Sequence, residues 1–259
     1  MLLAAGTGNR LKPFTNDWPK SLMPIKGYAL LEYWIYQLDQ LNIRNVFVNI
    51  HHHKKIMEKF LKRKKFEGKI KYKYEPRLLG TGGTLLANKA FFHDKTTLFI
   101  HADNWCHCNF QDFINFHFSN RPKGTMMTMM TFKTKTPGEC GIVELNAKGV
   151  VKKFHEKVEN PPGNLANAAI YLLEPEILDL IQSMPDVCDF DIDILPKLLG
   201  KIATWENTDV HRDIGSIEEL LNAQKDSTMS FEFEKRDSWQ SDFDNNSINK
   251  ELIEFNKYN

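Results

Sequence analysis

Residues 2–25 of the chain read LLAAGTGNRLKPFTNDWPKSLMPI. The apolar run Leu2–Ala5 leads directly into the glycine loop Gly6–Gly8, as a β-strand leads into a phosphate-binding loop. Arg10 and Lys20 follow, and their fixed positive charges suit a polyphosphate. The loop lacks the third glycine of the dinucleotide fingerprint, and the chain contains no GxxxxGK(S/T) motif. On its own the glycine pair is therefore as compatible with a tight turn as with a phosphate site.

The composition of the chain is that of a globular protein. Of its 259 residues, 42% are hydrophobic and 26% are charged, which excludes a disordered chain. The formal net charge of +1 gives no reason to expect a nucleic acid or an anionic membrane as the main partner. No apolar run approaches the roughly 18 residues of a membrane span. Four cysteines form no dense framework, so we expect free thiols and a cytoplasmic protein without stable membrane association.

Short apolar runs alternate with amphipathic segments through the first hundred residues, which predicts an α/β fold with a mostly parallel sheet. The predicted strands are Val46–Ile50, Ile70–Tyr74, Leu98–His101, Thr125–Phe132, Ile142–Leu145 and Ala168–Leu173. The predicted helices are Ala29–Leu41, a segment marked by Ile56, Phe60 and Leu61, then Glu174–Gln182, Asp191–Leu199 and Ser216–Ala223.

The composition changes near Lys225. Residues 226–259 are rich in Asp, Glu, Asn and Ser with scattered Phe and Trp. We therefore expect one domain over residues 1–225 and a polar C-terminal extension over 226–259, helical or partly disordered, to which no function is assigned. No hexapeptide period exists, which excludes an appended parallel β-helix.

Residues 3–25 resemble the N-terminal signature of the sugar-1-phosphate nucleotidyltransferases, LAAGxGxRLxPxTxxxPKxLxPI, at nearly every fixed position. The resemblance implies a Rossmann-like nucleotidyltransferase fold, with a mostly parallel central sheet flanked by helices. It also implies a nucleotide site in which Arg10 and Lys20 grip the triphosphate. The implied nucleotide-binding residues of this stretch are Leu3, Ala4, Ala5, Gly6, Thr7, Gly8, Asn9, Arg10 and Lys20. Met1 stands closer to the signature than is usual, and we expect the natural start to lie upstream.

Six later segments resemble family motifs in the expected order, up to about residue 223. Three of them concern the nucleotide and the metal. Glu75-Pro76 with Leu79–Gly83 resembles the base- and sugar-binding loop, which implies nucleotide contacts for Glu75, Gly80 and Gly82 and a sugar phosphate contact for Gly83. Ile100–Asp103 and Asp213–Ser216 resemble the segments whose aspartates bind metal, which implies that Asp103 and Asp213 are the metal ligands.

The other three segments concern the sugar phosphate. Phe154–Lys157 resembles the FxEKP segment, in which the lysine meets the sugar phosphate. Asn167–Tyr171 resembles the NAGxY strand, in which the asparagine touches the sugar. Asp191–Pro196 resembles a short helix before the last core strands. The resemblance thus implies sugar phosphate contacts for Glu156, Lys157, Asn167 and also Asp103. Ala102, Val158, Ala169 and Ser216 are mild departures from these motifs, and none removes a charge that the chemistry needs.

The implied reaction suits these residue types. A sugar phosphate oxygen attacks the α-phosphorus of a nucleoside triphosphate while pyrophosphate departs, so catalysis is mainly positioning and charge neutralisation. The attacking phosphate is already ionised, and no general base is needed. Mg²⁺ prefers a few carboxylates plus phosphates and water, which Asp103 and Asp213 suit. We therefore expect Mg²⁺ as cofactor and Arg10, Lys20 and Asp103 as catalytic residues.

Each of these residues also has an ordinary structural interpretation. Asp103 or Asp213 could cap a helix, Glu156 and Lys157 could be a solvated ion pair, and Asn167 could be a turn residue. The sequence Cys106-His107-Cys108 could suggest zinc, but no second Cys/His pair lies at finger-like spacing. Only the joint order of the motifs favours the functional interpretation.

The choice of substrates is the least specific part of the prediction. Val48–His52 and the Gly80–Gly83 loop look closest to guanylyltransferases acting on mannose or heptose 1-phosphate, so we expect GTP with a mannose-type sugar phosphate. A uridylyl- or cytidylyltransferase on another sugar phosphate, such as N-acetylmuramate 1-phosphate, is the alternative. The expected partners are these small molecules, with no nucleic acid, and a homodimer is left open.

Two functional interpretations that belong to other classes of protein also remain open. One is a catalytically silent regulator that binds nucleotide sugars. The other is an interaction protein that uses the acidic tail and the segment Lys54–Lys73, which holds ten Lys or Arg residues and only two acids. The ordinary interpretation of that basic segment is a solvated helix face.

Overall fold

The computed structural model describes residues 1–92, 94–184, 186–226 and 236–258. In these residues the strands are β1 Leu2–Leu3, β2 Pro24–Ile25, β3 Tyr28–Ala29, β4 Val46–Ile50, β5 Ile70–Tyr74, β6 Thr97–His101, β7 Asn104–His107, β8 Met127–Lys133, β9 Gly141–Leu145, β10 Val151–Glu156, β11 Leu165–Leu173, β12 Ile202–Glu206 and β13 Val210–Asp213. The α-helices are α1 Leu30–Gln40, α2 Lys54–Leu61, α3 Thr81–Ala87, α4 Lys89–Phe92, α5 Phe110–Asn115, α6 Glu176–Gln182, α7 Ile217–Lys225, α8 Ser238–Asp244 and α9 Ser247–Tyr258.

The chain divides into two compact units. The N-terminal unit consists of Leu2–Arg77, His101–His107 and Val210–Asn259, and the middle unit consists of Met1, Leu78–Ile100 and Cys108–Asp209. No helix in the described part of the chain is long and apolar enough to cross a membrane.

The N-terminal unit is built on a parallel sheet with the strand order β1-β4-β5. All five residues of β4 are buried, which suits a strand whose residues are apolar except for Asn49. Helix α1 connects β1 to β4 and buries Leu30, Leu31, Trp34, Ile35 and Leu38, whose helical spacing puts them on one face. The predicted parallel arrangement of the first strands is confirmed.

The middle unit has a mixed sheet with the order β10-β9-β11-β6, in which β8 also pairs with β11 and β12. Strand β11 is antiparallel to β6, β8 and β9, whereas β12 is parallel to β8. The predicted α/β class is confirmed. The antiparallel pairings are an addition that the strand–helix alternation of the first hundred residues did not indicate.

The remaining predicted elements differ from the structure mainly at their ends. Helix α7 begins at the predicted cap, where the Ser216 side chain accepts a hydrogen bond from the Glu219 backbone N–H. The single predicted helix Asp191–Leu199 is replaced by a π-helical turn, Phe190–Ile194, and a 3₁₀ turn, Leu195–Leu198, because Pro196 cannot donate the hydrogen bond of a continuous α-helix. The predicted extension contains α8 and α9, and its residues 227–235 and 259 lie outside the described residues.

A buried histidine gives the middle unit a pH-dependent stability. His117 is fully buried, with Nδ1 2.8 Å from Thr128 Oγ1 and Nε2 3.1 Å from Glu174 Oε1. Burial, and then the nearby Arg121 guanidinium, lower the pKa of His117 from 6.5 to about 4, against the opposing effect of Glu174. The folded chain therefore binds fewer protons at this position than the unfolded chain between these two pH values.

We expect the free energy of unfolding to fall as the pH is lowered from about 6.5 towards 4, with His117 contributing at most about 3 kcal/mol of that loss. Urea unfolding of the wild type and of His117→Gln at pH 7, 5.5 and 4.5 measures this contribution, because all other titrating groups are common to both proteins. The variant should lose less stability than the wild type. An equal loss in both proteins would contradict the prediction.

Candidate active site

Lys20 lies between two carboxylates of the N-terminal unit. Its Nζ is 2.8 Å from Asp103 Oδ2 and 2.9 Å from Asp213 Oδ1, and its side chain is only 7% exposed. Burial lowers the pKa of Lys20, but the two carboxylates outweigh it and leave this pKa above its ordinary value. Burial likewise raises the pKa of Asp103, and Lys20 and then His101 more than offset this effect. Lys20 is therefore a buried ammonium group that contacts the ionised Asp103 and the side chain of Asp213.

Backbone pairing brings these distant residues together. Asp103 lies in the turn between β6 and β7, and β7 pairs antiparallel with β13 so that Asn104 faces Asp213. The Ile214 N–H also donates to the Asp103 carbonyl at 3.3 Å. Lys20 begins a buried 3₁₀ turn, Lys20–Leu22, that follows Pro19. Both aspartates are thus fixed by the same two-stranded pairing, and the lysine is fixed by a separate turn.

Arg10 is the exposed counterpart of Lys20. Its Nη2 donates to Asp213 Oδ2 at 2.7 Å, while 67% of the side chain is exposed. A Cβ at Gly215 would lie 2.5 Å from Arg10 Nη2 and 2.9 Å from Asp213 Oδ2, so a larger residue there would require the ends of these two side chains to shift. Arg10 thus presents a positive charge to solvent beside the buried Lys20.

The start of the glycine loop is anchored by buried polar side chains. The Ala4 N–H donates to Asn49 Oδ1 at 2.8 Å, and Asn49 Nδ2 donates to Glu75 Oε1 at 3.1 Å. Asn49 and Glu75 are 3% and 2% exposed. Glu75 therefore supports the loop from beneath. Leu3, Ala4 and Ala5 are buried, whereas Gly6, Thr7, Gly8 and Asn9 are exposed or half-buried.

Asp103 and Asp213 suit a divalent cation of the magnesium type. Both carboxylates contact one ammonium group, so their oxygens already converge on a single positive charge. Magnesium is typically held by one or two carboxylates together with substrate phosphates and water. In the described residues no group of three or more His, Cys, Asp or Glu side chains forms a metal cluster, at Cys106-His107-Cys108 or elsewhere.

The glycines of the predicted base-binding loop pack tightly in the middle unit. The N–H groups of Gly82 and Gly83 donate to the Cys188 carbonyl at 2.9 and 3.1 Å. Gly80 has φ 76°, and a Cβ there would lie 2.3 Å from the same carbonyl oxygen. Glycine is required at position 80 because these two backbone segments approach each other so closely.

Asn167 belongs to a hydrogen-bonded group that includes Asp191. Asn167 Nδ2 donates to the Tyr171 hydroxyl oxygen at 2.6 Å and to Asp191 Oδ1 at 3.4 Å. The Tyr171 hydroxyl donates to Asp191 Oδ1 at 2.8 Å, and burial and then Asp191 raise the pKa of Tyr171 well above its ordinary value. Asp191 was not among the predicted site residues. The sequence feature that could have indicated this role is the position of Asp191 at the start of the Asp191–Pro196 motif.

A left-handed residue follows Asn167. Ala169 has φ 53°, and its N–H donates to Asn167 Oδ1 at 3.0 Å. This conformation explains why glycine is the usual residue in the matching motif, and alanine there costs about 1–2 kcal/mol of conformational energy. The irregularity in β11 between Asn167 and Tyr171 turns the asparagine towards Asp191.

Glu156 and Lys157 lie at the end of β10. Lys157 Nζ is 3.0 Å from Glu156 Oε1, and 66% of the lysine side chain is exposed. Burial raises the pKa of Glu156, Lys157 opposes this effect, and Asp191 and Asp189 add to it. Glu156 therefore belongs to the same acidic surroundings as Asp191, with Lys157 as the cation beside them.

Comparison with known proteins gives one family match and several relatives. A family model described as "Nucleotidyl transferase" matches residues 1–230. "Mannose-1-phosphate guanyltransferase 2" of Candida glabrata is 28% identical over 229 residues, which cover 85% of this chain and 62% of that protein. "Mannose-1-phosphate guanylyltransferase catalytic subunit beta" of Dictyostelium discoideum is 31% identical over 196 residues, covering 74% of this chain and 54% of that protein.

The chain thus spans less than two thirds of the length of these curated relatives. Among solved structures, HddC from Yersinia pseudotuberculosis complexed with GMP-PN has a TM-score of 0.71 and 23% identity, covering 86% of this chain and 96% of that chain. At this identity the similarity to HddC shows the fold alone.

Proposed function

Since the chain belongs to the nucleotidyl transferase family, we propose that it transfers a nucleoside monophosphate from a nucleoside triphosphate to a sugar 1-phosphate, releasing pyrophosphate. The observation that carries this proposal is the contact of Lys20 Nζ with both Asp103 and Asp213. Such an arrangement puts a buried cation and two carboxylates beside a glycine loop, as phosphate chemistry assisted by a divalent metal requires.

The N-terminal unit carries the residues that we assign to the triphosphate. The exposed loop Gly6–Asn9 would approach the phosphate oxygens, and Arg10 and Lys20 would neutralise the charge that shifts onto the leaving pyrophosphate. Asp103 and Asp213 would hold Mg²⁺, which supplies further positive charge to the reacting phosphates when bound. Backbone pairing or a buried turn sets the positions of Lys20, Asp103 and Asp213, so these three side chains need little reorganisation on binding.

The middle unit carries the residues that we assign to the sugar phosphate. Lys157 would bind the phosphate group as an exposed cation, and Glu156 and Asn167 would accept or donate hydrogen bonds to sugar hydroxyls. Gly80, Gly82 and Gly83 would shape the adjoining loop. The attacking oxygen is already ionised near neutral pH, so none of these residues is required as a general base.

GTP and a mannose-type sugar 1-phosphate are the substrates that we propose. The curated relatives named above are mannose-1-phosphate guanylyltransferases, which supports this choice at 28% and 31% identity. We further propose a cytoplasmic location, because none of the four cysteines, all of which are described, forms a disulfide. The boundary between a catalytic domain and the extension near residue 225 stays a prediction.

A pyrophosphate-release assay with Mg²⁺ tests the proposal. Each common nucleoside triphosphate is combined with mannose, glucose, heptose, N-acetylglucosamine and N-acetylmuramate 1-phosphates. We expect release with GTP and mannose or heptose 1-phosphate. Release only with UTP or CTP would support the proposed nucleotidyl transfer but contradict GTP as the substrate. Nucleotide binding without release in any combination would contradict the activity and favour a regulator.

Lys157→Ala should raise the KM for the sugar 1-phosphate by about tenfold to a hundredfold, because it removes a charged hydrogen bond to the phosphate. The KM for the nucleoside triphosphate should change little. Lys153→Ala is a matched control, since Lys153 lies on β10, which ends just before Lys157, and 63% of its side chain is exposed. If KM and kcat for the sugar phosphate are unchanged in Lys157→Ala, Lys157 does not bind that substrate.

A further inference from the structure

The C-terminal helices α8 and α9 are packed into the N-terminal unit. Among their described residues, Trp239, Gln240, Phe243, Ile248 and Leu252 are between 1% and 7% exposed. Gln240 Nε2 also donates to the Gly27 carbonyl at 2.9 Å. The burial of four large apolar side chains stabilises this packing by several kcal/mol, about 1.5–3 kcal/mol for each fully buried side chain.

Arg63 anchors α8 electrostatically. Its side chain is 3% exposed, and its Nε and Nη2 donate to the two carboxylate oxygens of Asp237 at 2.7 and 3.0 Å. Its Nη1 donates to Glu32 at 2.6 Å, and its Cζ lies 4.6 Å from the Trp239 ring centroid. The basic segment Lys54–Lys73 and the acidic extension thus contact each other within this chain. The bidentate geometry holds α8 in one orientation.

From α8, one chain of contacts leads to the Lys20 turn. The Phe243 ring centroid lies 5.8 Å from that of Trp18. Trp18 Nε1 donates to the Leu22 carbonyl at 2.9 Å, and this hydrogen bond closes over the turn that contains Lys20. Phe243 therefore packs directly on the residue that ties the Lys20 turn together.

A second chain of contacts runs through α2. The Trp239 and Phe60 ring centroids are 4.8 Å apart, and further along the same helix Met57 Sδ accepts a hydrogen bond from Ser21 Oγ at 3.5 Å. Ser21 directly follows Lys20. Helix α8 therefore supports the Lys20 turn from two sides.

His53, which precedes α2, extends this second chain to the glycine loop. Its Nε2 lies 3.0 Å from the Thr15 carbonyl oxygen. Thr15 Oγ1 in turn donates to the Gly8 carbonyl at 2.8 Å. The residue that precedes the helix supporting Ser21 is thus linked, through Thr15, to the loop that we assign to the phosphates.

We propose that Phe243 and Trp239 of the C-terminal extension are positioning residues for the nucleoside triphosphate, acting through Trp18 and α2 on Lys20. This inference rests on the proposed function. Lys20 stabilises a developing charge only when its Nζ is held in place, and a displacement of about 1 Å can cost about a hundredfold in rate. The extension thereby supplies part of the rigidity of the nucleotide-binding residues.

Phe243→Ala tests the proposal. We expect the dissociation constant for GTP, measured by calorimetry, and the KM for GTP to rise by about tenfold. The KM for the sugar 1-phosphate at saturating GTP should be unchanged. Phe243→Tyr keeps the aromatic ring and should therefore bind GTP like the wild type. Asp242→Ala on the same helix removes only an ion pair between exposed side chains and should behave as wild type.

A destabilised control separates positioning from general loss of stability. Ile181→Ala removes a fully buried side chain of the middle unit and should lower the melting temperature without changing GTP affinity well below it. If Phe243→Ala behaves like Ile181→Ala, the positioning role is wrong. If Phe243→Ala does not fold, Trp18→Phe replaces it in the same GTP measurement. This variant deletes the hydrogen bond to the Leu22 carbonyl and should also weaken GTP binding. A wild type that binds no nucleotide would instead contradict the proposed function.

Discussion

Lys20→Met is expected to lower kcat/KM for pyrophosphate release by about 10²–10³-fold, the usual cost of losing one preorganised electrostatic contact to developing charge. Methionine keeps an unbranched side chain of similar length in the buried turn but removes the ammonium that contacts Asp103 and Asp213 at 2.8 and 2.9 Å. Most of the loss should lie in use of the nucleoside triphosphate.

The stability of Lys20→Met should fall much less than its activity. The side chains of Asp103 and Asp213 are 35% and 48% exposed, so solvent can screen the two carboxylates once the lysine charge is gone. Steady-state kinetics and thermal unfolding measure both effects. Lys12→Met is the control, because Lys12 is an exposed lysine of the same loop region. If Lys20→Met loses no more than about threefold in activity, the loss is far smaller than expected and the assigned role is wrong.

Asp103→Asn is expected to lower kcat by about 10²–10³-fold at saturating nucleotide and to shift the Mg²⁺ dependence to higher concentrations. Asparagine keeps the shape of the side chain and an oxygen that can accept the Lys20 hydrogen bond, but it removes the negative charge that a divalent cation requires. Since the aspartate also compensates the buried Lys20, some loss of stability should accompany the loss of activity.

The Mg²⁺ titration distinguishes the two variants. Lys20→Met should raise the KM for the triphosphate without raising the Mg²⁺ midpoint, because it removes a positive charge from beside the two carboxylates. Asp103→Asn should move that midpoint to higher concentrations. Asp112→Asn, an exposed carboxylate in the first turn of α5, serves as the control for loss of one negative charge. Turnover of Asp103→Asn close to that of wild type at saturating Mg²⁺ would show that Asp103 is no metal ligand.

Much of the N-terminal unit follows from local sequence. Strands β4 and β5 occupy the predicted ranges Val46–Ile50 and Ile70–Tyr74. The mainly apolar sequence of β4 suits a buried strand, and the alternation of lysine with Ile or Tyr in β5 suits a half-buried one. The capped start of α7 at Ser216 depends only on residues within one helical turn. The order of the motifs was sufficient to identify the family, because each motif encodes a short backbone conformation with its own residue requirements.

The contacts within the candidate site could not be predicted from local sequence. Lys20 meets Asp103 and Asp213 across 83 and 193 residues, through the pairing of the short strands β7 and β13, whose sequences show no clear alternation. Asp191 contacts Asn167 at the point where β11 is irregular, between Asn167 and Tyr171. No local pattern specifies such pairings, since they depend on which distant segments bury their surfaces together.

The C-terminal extension shows the same division. Its polar composition with scattered aromatic residues predicts an extension that is helical or partly disordered. In the structure it forms helices α8 and α9, Trp239 and Phe243 are buried, and Asp237 pairs with Arg63. Residue types and motif order therefore identify the α/β family and predict the roles of its charged residues. The tertiary structure decides which charges meet and what holds them in place, because a buried ion pair or aromatic contact gains its energy from long-range packing that removes both partners from water.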